Sequence, residues 1–305
     1  MYGRERGRAV ALRERYPHAR EVLGLYLALV DVWEAADSGG EAGRTDGELP
    51  PGDGEVSPVA GAWLAWAAAE VLPQVMAATV AAGPRPLAEA VAATGHPAAA
   101  GVAGGSGAAA GAGAAAGAGV ELLAAWVAGE ELTPVERFLA RATMRVVPLG
   151  RSSPGNAAGR CPACGGPPQV SYRAESEDPL VSGRRLLACA GCPHEWSFSA
   201  TTCPNCGETG KRTVHAETGQ TTAPSPPKPS RAAAPSVGRG DPAPEALFPQ
   251  LRAESCESCH RYLIDVDLTR DPRAVPRVDE LTAIPLDLHL AEQGYTKITP
   301  NLMGF

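Results

Sequence analysis

"TTCPNCGETG" (residues 201–210) carries two cysteines two residues apart, Cys203 and Cys206, with Pro204 and Gly207 shaping the turn. That spacing lets a tight turn aim both sulfurs, and nearby backbone N–H groups, at one point, which is half of a tetrahedral metal site. The chain has eight cysteines, and the other six repeat the pattern as Cys161/Cys164, Cys189/Cys192 and Cys256/Cys259. None is left over. Four such pairs make two tetrathiolate sites for zinc or iron, so all eight cysteines are expected to be metal ligands. A thioredoxin-like dithiol needs one pair on a βαβ scaffold, and none is visible. A cubane iron–sulfur cluster takes a third cysteine close behind the first two, which no pair here has. The basic stretch "MYGRERGRAVALRERYPHAR" lacks the apolar core of a signal peptide. A cytoplasmic, reducing location is therefore expected, in which disulfides are not the default.

Sequential pairing of the pairs is expected. Cys161/Cys164 and Cys189/Cys192 bracket "PPQVSYRAESEDPLVSGRRLLAC", which reads as a hairpin. Val170 and Tyr172 fall on one strand, Leu186 and Leu187 on the other, with an acidic turn between. Cys203/Cys206 then joins Cys256/Cys259 across residues 207–255. The middle of that span is rich in Pro, Ala and Ser, and residues 219–249 read as a disordered insert. Its flanks, "KRTVHAE" and "LRAESC", are strand-like, and loop-closure cost rises only slowly with length. The competing pairing, Cys189/Cys192 with Cys203/Cys206, leaves too short a connection and strands the outer pairs.

Other residues near the cysteines carry less. His194 and His260 lie just beyond a pair and read as neighbours of the sites, since eight thiolates already complete them. His18, His96, His215 and His289 have no partner spacing. Trp196 is expected to pack on the metal knuckles. After the last pair, "RYLIDVDL" alternates Tyr262, Ile264 and Val266 on one strand face. "VDELTAIPLDLHLAEQGY" reads as a helix interrupted near Pro285 and ended by Gly294. Asp265, Asp267, Asp279, Glu280 and Asp287 read as solvated faces and caps.

Residues 1–150 read as an all-α domain. Val22, Leu23, Tyr26, Leu29, Val30 and Trp33 recur at helical spacing. A second helix covers about 58–82, with Pro73 expected to kink or divide it, and its Ala-rich composition argues against a membrane span. Residues 97–119 are almost wholly Ala and Gly and read as a flexible insert. In "TPVERFLARATMRVV", Thr133, Pro134 and Glu136 form a capping-box start. The fold class expected is α+β multidomain. The all-α N-terminal domain is followed by two small rubredoxin-like or zinc-ribbon modules, at 155–202 and 203–305, the second ending in a helical tail.

No nucleophile–His–acid set, phosphate loop or dinucleotide fingerprint is present, so no catalytic residue is assigned. The formal net charge of −7 disfavours nucleic acid, which the few basic residues at Arg184-Arg185 and Lys211-Arg212 do not offset.

The segments "CPACGGPP", "LLACAGCPHEW", "CPNCGETGK", "AESCESCHRYL" and "DELTAIPLDLHLAEQGYTKITPNLMGF", in this order, resemble the formate dehydrogenase accessory protein family, FdhE. His260 departs from it, standing where the last knuckle often has Gly. The resemblance implies a non-enzymatic cytoplasmic helper that contacts the catalytic subunit of formate dehydrogenase during maturation and carries zinc or iron on rubredoxin-like folds. The alternative reading is an iron redox partner or electron carrier; a zinc-ribbon nucleic-acid binder ranks below both. Self-association is left open.

Overall fold

Helical spacing organises the N-terminal half as expected. A computed structural model describes residues 2–39, 58–94, 108–147, 159–174, 183–216 and 248–304. Helices α1 (Tyr2–Arg15) and α2 (Arg20–Gly39) are joined by a 3₁₀ turn at Pro17–Ala19. Proline suits that first turn, because its missing N–H has no partner there anyway. On α2, Leu23, Tyr26, Leu29, Val30 and Trp33 are all buried. Helices α3 (Pro58–Trp66) and α4 (Leu72–Ala82) run together through a π turn at Ala67–Val71. Pro73 accounts for that turn: its ring excludes the usual carbonyl contact one turn back, and the chain widens just upstream. Among the described residues, Gly61–Ala82 is the one helical run long and apolar enough to cross a membrane. Here its Trp63, Leu64, Val71, Leu72, Val75 and Met76 are buried in the helical core.

Helix α5 (Arg85–Ala93) follows α4. Of the flexible insert expected at 97–119, residues 97–107 lie outside the described residues, but 108–119 begin helix α6 (Ala108–Ala128). Alanine has the highest helix propensity, and its weight over the segment exceeds that of the glycines. The glycine content also has a use where α6 meets the π turn. A Cβ on Gly119 would stand 3.1 Å from Ala68 Cβ and Leu72 Cδ2, so the missing side chain lets the two backbones approach. Helix α7 (Pro134–Thr143) begins with the expected capping box: Thr133 Oγ1 accepts from the Glu136 N–H, and the Thr133 N–H donates to Glu136 Oε2 at 2.9 Å. The Trp33 indole N–H donates to the Ala142 carbonyl at 2.8 Å, tying α2 to α7.

The C-terminal half forms one sheet from β1 (Pro168–Ala174), β2 (Arg184–Cys189), β3 (Glu195–Ser197), β4 (Arg212–His215), β5 (Leu251–Cys256), β6 (Arg261–Asp267) and the short β7 (Thr296–Lys297). The strand order is β3-β2-β1-β6-β5-β4, with β7 on β6. The β1–β2 hairpin sets Tyr172 opposite Leu186, and β4–β5 sets Arg212 opposite Cys256, both antiparallel. Between them β1 and β6 pair in parallel, Tyr172 opposite Val266, so the strands of both cysteine regions share one sheet. Of the insert expected at 219–249, residues 219–247 lie outside the described residues. Phe248 belongs to the folded core, its ring 4.9 Å from that of Tyr16.

One face of the sheet carries Val170, Tyr172, Ala253, Ile264 and Val266, which join the helical residues in a single apolar cluster. The tail packs against this cluster as α8 (Pro276–Asp279), a 3₁₀ turn at Glu280–Thr282 and α9 (Ile284–Glu292), with Pro285 in the first turn of α9 and Gly294 at φ +81° beyond it. Arg8 of α1 pairs with Asp279 of α8, and with Asp271 at 2.8 Å, holding the helices on the sheet. The architecture is α+β.

Candidate metal centres

Each cysteine pair sits on a turn at the end of a hairpin strand. Cys189 and Cys256 are the last residues of β2 and β5, while the 161–164 and 203–206 turns precede β1 and β4. The hairpins bring the turns together as two clusters: Cys161, Cys164, Cys189 and Cys192, and Cys203, Cys206, Cys256 and Cys259. Within each, every sulfur lies within 4.8 Å of the others. Sulfur–sulfur separations are 3.7 Å for Cys161–Cys192, 3.4 Å for Cys164–Cys189, 3.8 Å for Cys203–Cys259 and 3.7 Å for Cys206–Cys256. A tetrahedron of sulfurs about 2.3 Å from a central ion has edges of about 3.8 Å, so the donor sets fit zinc or iron with little adjustment. None of the eight cysteines is in a disulfide.

Backbone amides support the sulfurs. The Ala163 and Gly191 N–H groups point at Cys161 Sγ and Cys189 Sγ at 3.4 and 3.3 Å. In three turns the residue after the second cysteine donates back to the carbonyl of the first: Gly165 to Cys161 at 2.8 Å, Gly207 to Cys203 at 2.9 Å and His260 to Cys256 at 2.9 Å. That bond requires a left-handed residue, and the three have φ of +72°, +80° and +52°. The fourth turn has Pro193 there, which has no N–H to donate. His260 is the one described non-glycine residue at positive φ. His260→Gly is expected to relieve about 1 kcal/mol of backbone strain and to raise the thermal midpoint. A fall would mean that the ring contact with Tyr295, at 5.8 Å between centroids, outweighs the strain.

The thiols are close enough to share protons. Hydrogen bonds from Cys189 and Cys192 lower Cys164 to about 4, and the contacts with Cys164 and Cys189 raise Cys192 in turn. Burial raises Cys203 to about 12. The clusters differ in access. Cys161, Cys189, Cys203 and Cys256 are buried, Cys164, Cys192 and Cys259 are partly open, and Cys206 is exposed.

Residues near the clusters depart in part from expectation. Trp196 lies on the edge strand β3, opposite Leu187, and stacks on His194 at 6.4 Å. His215 contacts Ser255 Oγ at 2.8 Å and the rings of His289 and Tyr295. The larger correction concerns the acidic residues read as solvated. Asp265, Asp279, Glu280 and Asp287 are buried, and each has a cation. Lys297 Nζ reaches Glu280 at 2.8 Å and Asp287 at 3.2 Å, and Tyr262 donates to Asp287 at 2.8 Å. Arg252 and Arg173 reach Asp265 at 2.6 and 3.1 Å.

On the sheet face away from the helices, Glu254 of β5 binds Arg173 of β1 at 2.8 Å, Arg185 of β2 at 2.9 Å and Arg212 of β4. Burial alone would raise this carboxyl, but Arg185, Arg212 and Arg173 hold it below its ordinary value. Arg173 and Arg185 stand directly opposite each other on β1 and β2. Such like-charge neighbours repel unless a carboxylate comes between them. Glu254 therefore links strands of both cysteine regions.

Residues 240–303 match the family model "FdhE, C-terminal domain". The chain is 28% identical over 145 residues to a protein FdhE homolog of Aquifex aeolicus, covering 48% of this chain and 41% of that one. It is 32% identical over 143 residues to the homolog of Pseudomonas aeruginosa, covering 47% and 38%. To protein FdhE of Escherichia coli it is 25% identical over 141 residues, covering 46% and 36%. The matched region thus spans well under half the length of these relatives. The crystal structure of the FdhE protein from Pseudomonas aeruginosa shares the fold, with a TM-score of 0.57 at 23% identity over 99% of this chain and 95% of that one.

Proposed function

We propose that this relative of the FdhE proteins is an accessory factor in the maturation of a formate dehydrogenase, binding its catalytic subunit and catalysing no reaction itself. The observation that carries the reading is the FdhE C-terminal domain match over residues 240–303, which takes in Cys256 and Cys259 together with the strand and tail packed behind them. In this reading the chain carries two rubredoxin-like modules joined edge to edge. Cys161, Cys164, Cys189 and Cys192 hold one metal ion; Cys203, Cys206, Cys256 and Cys259 hold a second. The ions supply structural energy to segments poor in apolar residues. A single rigid sheet then presents both knuckle regions to the partner. The factor acts in the cytoplasm, without nucleic acid.

Co-purification with a formate dehydrogenase catalytic subunit tests the reading, using the unaltered chain and Cys203→Ser. The unaltered chain is expected to retain the subunit and the variant to lose most of it. Absence of association in both would remove the reading.

One observation favours a second reading, an iron-based redox partner. Cys206 is exposed, which leaves the second cluster open to electron exchange at the surface. Elemental analysis of anaerobically purified protein with a visible spectrum separates the two. Colourless, zinc-only protein eliminates the redox reading, whereas iron that bleaches on reduction and recovers on oxidation supports it.

A further inference from the structure

A cavity of about 240 Å³ lies where the helices meet the first cysteine cluster. Its wall gathers three arginines: Arg141 of α7, Arg145 in the turn after it and Arg277 of α8. Arg145 pairs with Glu5 at 3.0 Å and lies over the Trp33 ring, 5.6 Å from its centroid. The other two are held by neutral oxygens. Arg277 Nη2 donates to the Cys192 carbonyl at 2.9 Å. Arg141 donates to Gln169 Oε1 at 2.7 Å and to the Pro300 carbonyl. Among the described residues, no carboxylate forms an ion pair with Arg141 or Arg277.

Among the described residues, Glu5 is the one carboxylate bonded to these three guanidiniums; Glu280 acts on Arg141 from beyond Gln169, which donates to it at 2.7 Å, and the cysteines of the adjoining cluster add negative charge of their own. Burial lowers Arg141 to about 10 against the attraction of Glu280, and burial with repulsion from Arg145 lowers Arg277 against the attraction of Cys189 and Glu195. Since Arg141 and Arg277 are bonded only to neutral oxygens, an incoming carboxylate would gain charge-assisted hydrogen bonds there. The remaining wall is apolar, from Trp33, Trp126, Met144 and Leu302. A fitting ligand therefore brings a negative charge and an apolar body together. Inorganic anions lack the body, and Asp or Glu side chains carry the charge with little of it. The C-terminal residue of a peptide, when it is apolar, carries both on one residue, and carboxylate capture at a chain end is a known recognition mode.

We propose that this cavity binds the C-terminal residue of a partner polypeptide, its carboxylate engaged by Arg141 and Arg277 and its apolar side chain by Trp126 and Leu302. The bidentate geometry of guanidinium toward carboxylate gives the contact its strength. The proposal does not rest on the formate dehydrogenase reading.

The test uses the full, metal-loaded chain, with Trp33 and Trp126 as fluorescence reporters. The probes are acetyl-Ala-Ala-Leu with a free C-terminus, the same peptide as its amide, acetyl-Ala-Glu-Ala amide and inorganic phosphate. The free acid is expected to shift the emission saturably, and the amide to bind at least about ten-fold more weakly. Arg141→Gln and Arg277→Gln should each weaken the free acid by about ten-fold or more, with metal content and circular dichroism retained. Equal binding of acid and amide overturns the proposal, as does no binding of the acid. Phosphate or the glutamate peptide matching the acid also overturns it, by showing a site for any anion. The acid–amide comparison needs no variant, so a misfolded mutant does not rescue the idea.

Discussion

Cys256→Ser is expected to cut metal content from two ions per chain to one and to lower the thermal midpoint by on the order of 10 °C or more. Cys256 is 1% exposed and ends β5, whose neighbours on either side are β4 and β6. Its sulfur contacts Cys206 at 3.7 Å and belongs to the second cluster. A serine there forfeits a thiolate and buries a hydroxyl among three remaining sulfurs. Structural zinc in small modules contributes roughly 10–16 kcal/mol of apparent folding energy, so even partial loss exceeds any single packing contact. Cys206→Ser should lose the same ion with a smaller drop, because Cys206 is exposed and ends no strand. Elemental analysis and scanning calorimetry on the pair decide the matter. Two ions retained in Cys256→Ser would remove the metal assignment, and equal midpoints would remove the claim that strand-end burial matters.

The hairpins were legible because their strands are short, alternate in polarity and end at cysteines whose spacing dictates what must meet. Val170 and Tyr172 pair with the strand of Leu186 and Leu187, and the two flanks of the Pro-rich span pair as β4 and β5. The parallel β1–β6 join was not legible. No turn connects those strands, and a parallel register far apart in sequence leaves no local mark. Helix α6 was hidden because an Ala/Gly segment shows no side chain large enough to anchor a core, whereas alanine propensity and the close approach at Gly119 favour a helix without one. The buried acids had a signal that went unused. In "YLIDVD", Asp265 shares its strand face with Leu263, and alternation places both away from Ile264 and Val266. A carboxylate so placed on an interior strand must be buried and paired, and the sequence supplies the arginines on β1, β2, β4 and β5. Their partners could not be read, because each belongs to a different strand.

Glu254→Gln is expected to cost about 3–5 kcal/mol of folding stability, the usual effect of removing one partner from a buried charge group. Glu254 is 5% exposed and is the shared acceptor for Arg173, Arg185 and Arg212. Neutralising it leaves Arg173 with Asp265, but leaves Arg185, whose side chain is fully buried, facing Arg173 across the β1–β2 pair without a carboxylate between. The damage should spread past one hairpin, because the carboxylate bridges strands of both cysteine regions. A useful control is Asp31→Asn, whose exposed pair with Arg6 at 2.5 Å should matter by about 0–1 kcal/mol. The pH dependence follows from the lowered carboxyl. Its stabilisation is present above the ordinary glutamate range and is lost as pH falls through its depressed native value. The gap between wild type and Glu254→Gln should therefore be widest near neutrality and close in acid, read by urea unfolding across that range. A gap that stays constant into strong acid would mean that the glutamine disturbs packing, and that the ionised carboxylate is not what joins the two halves of the sheet.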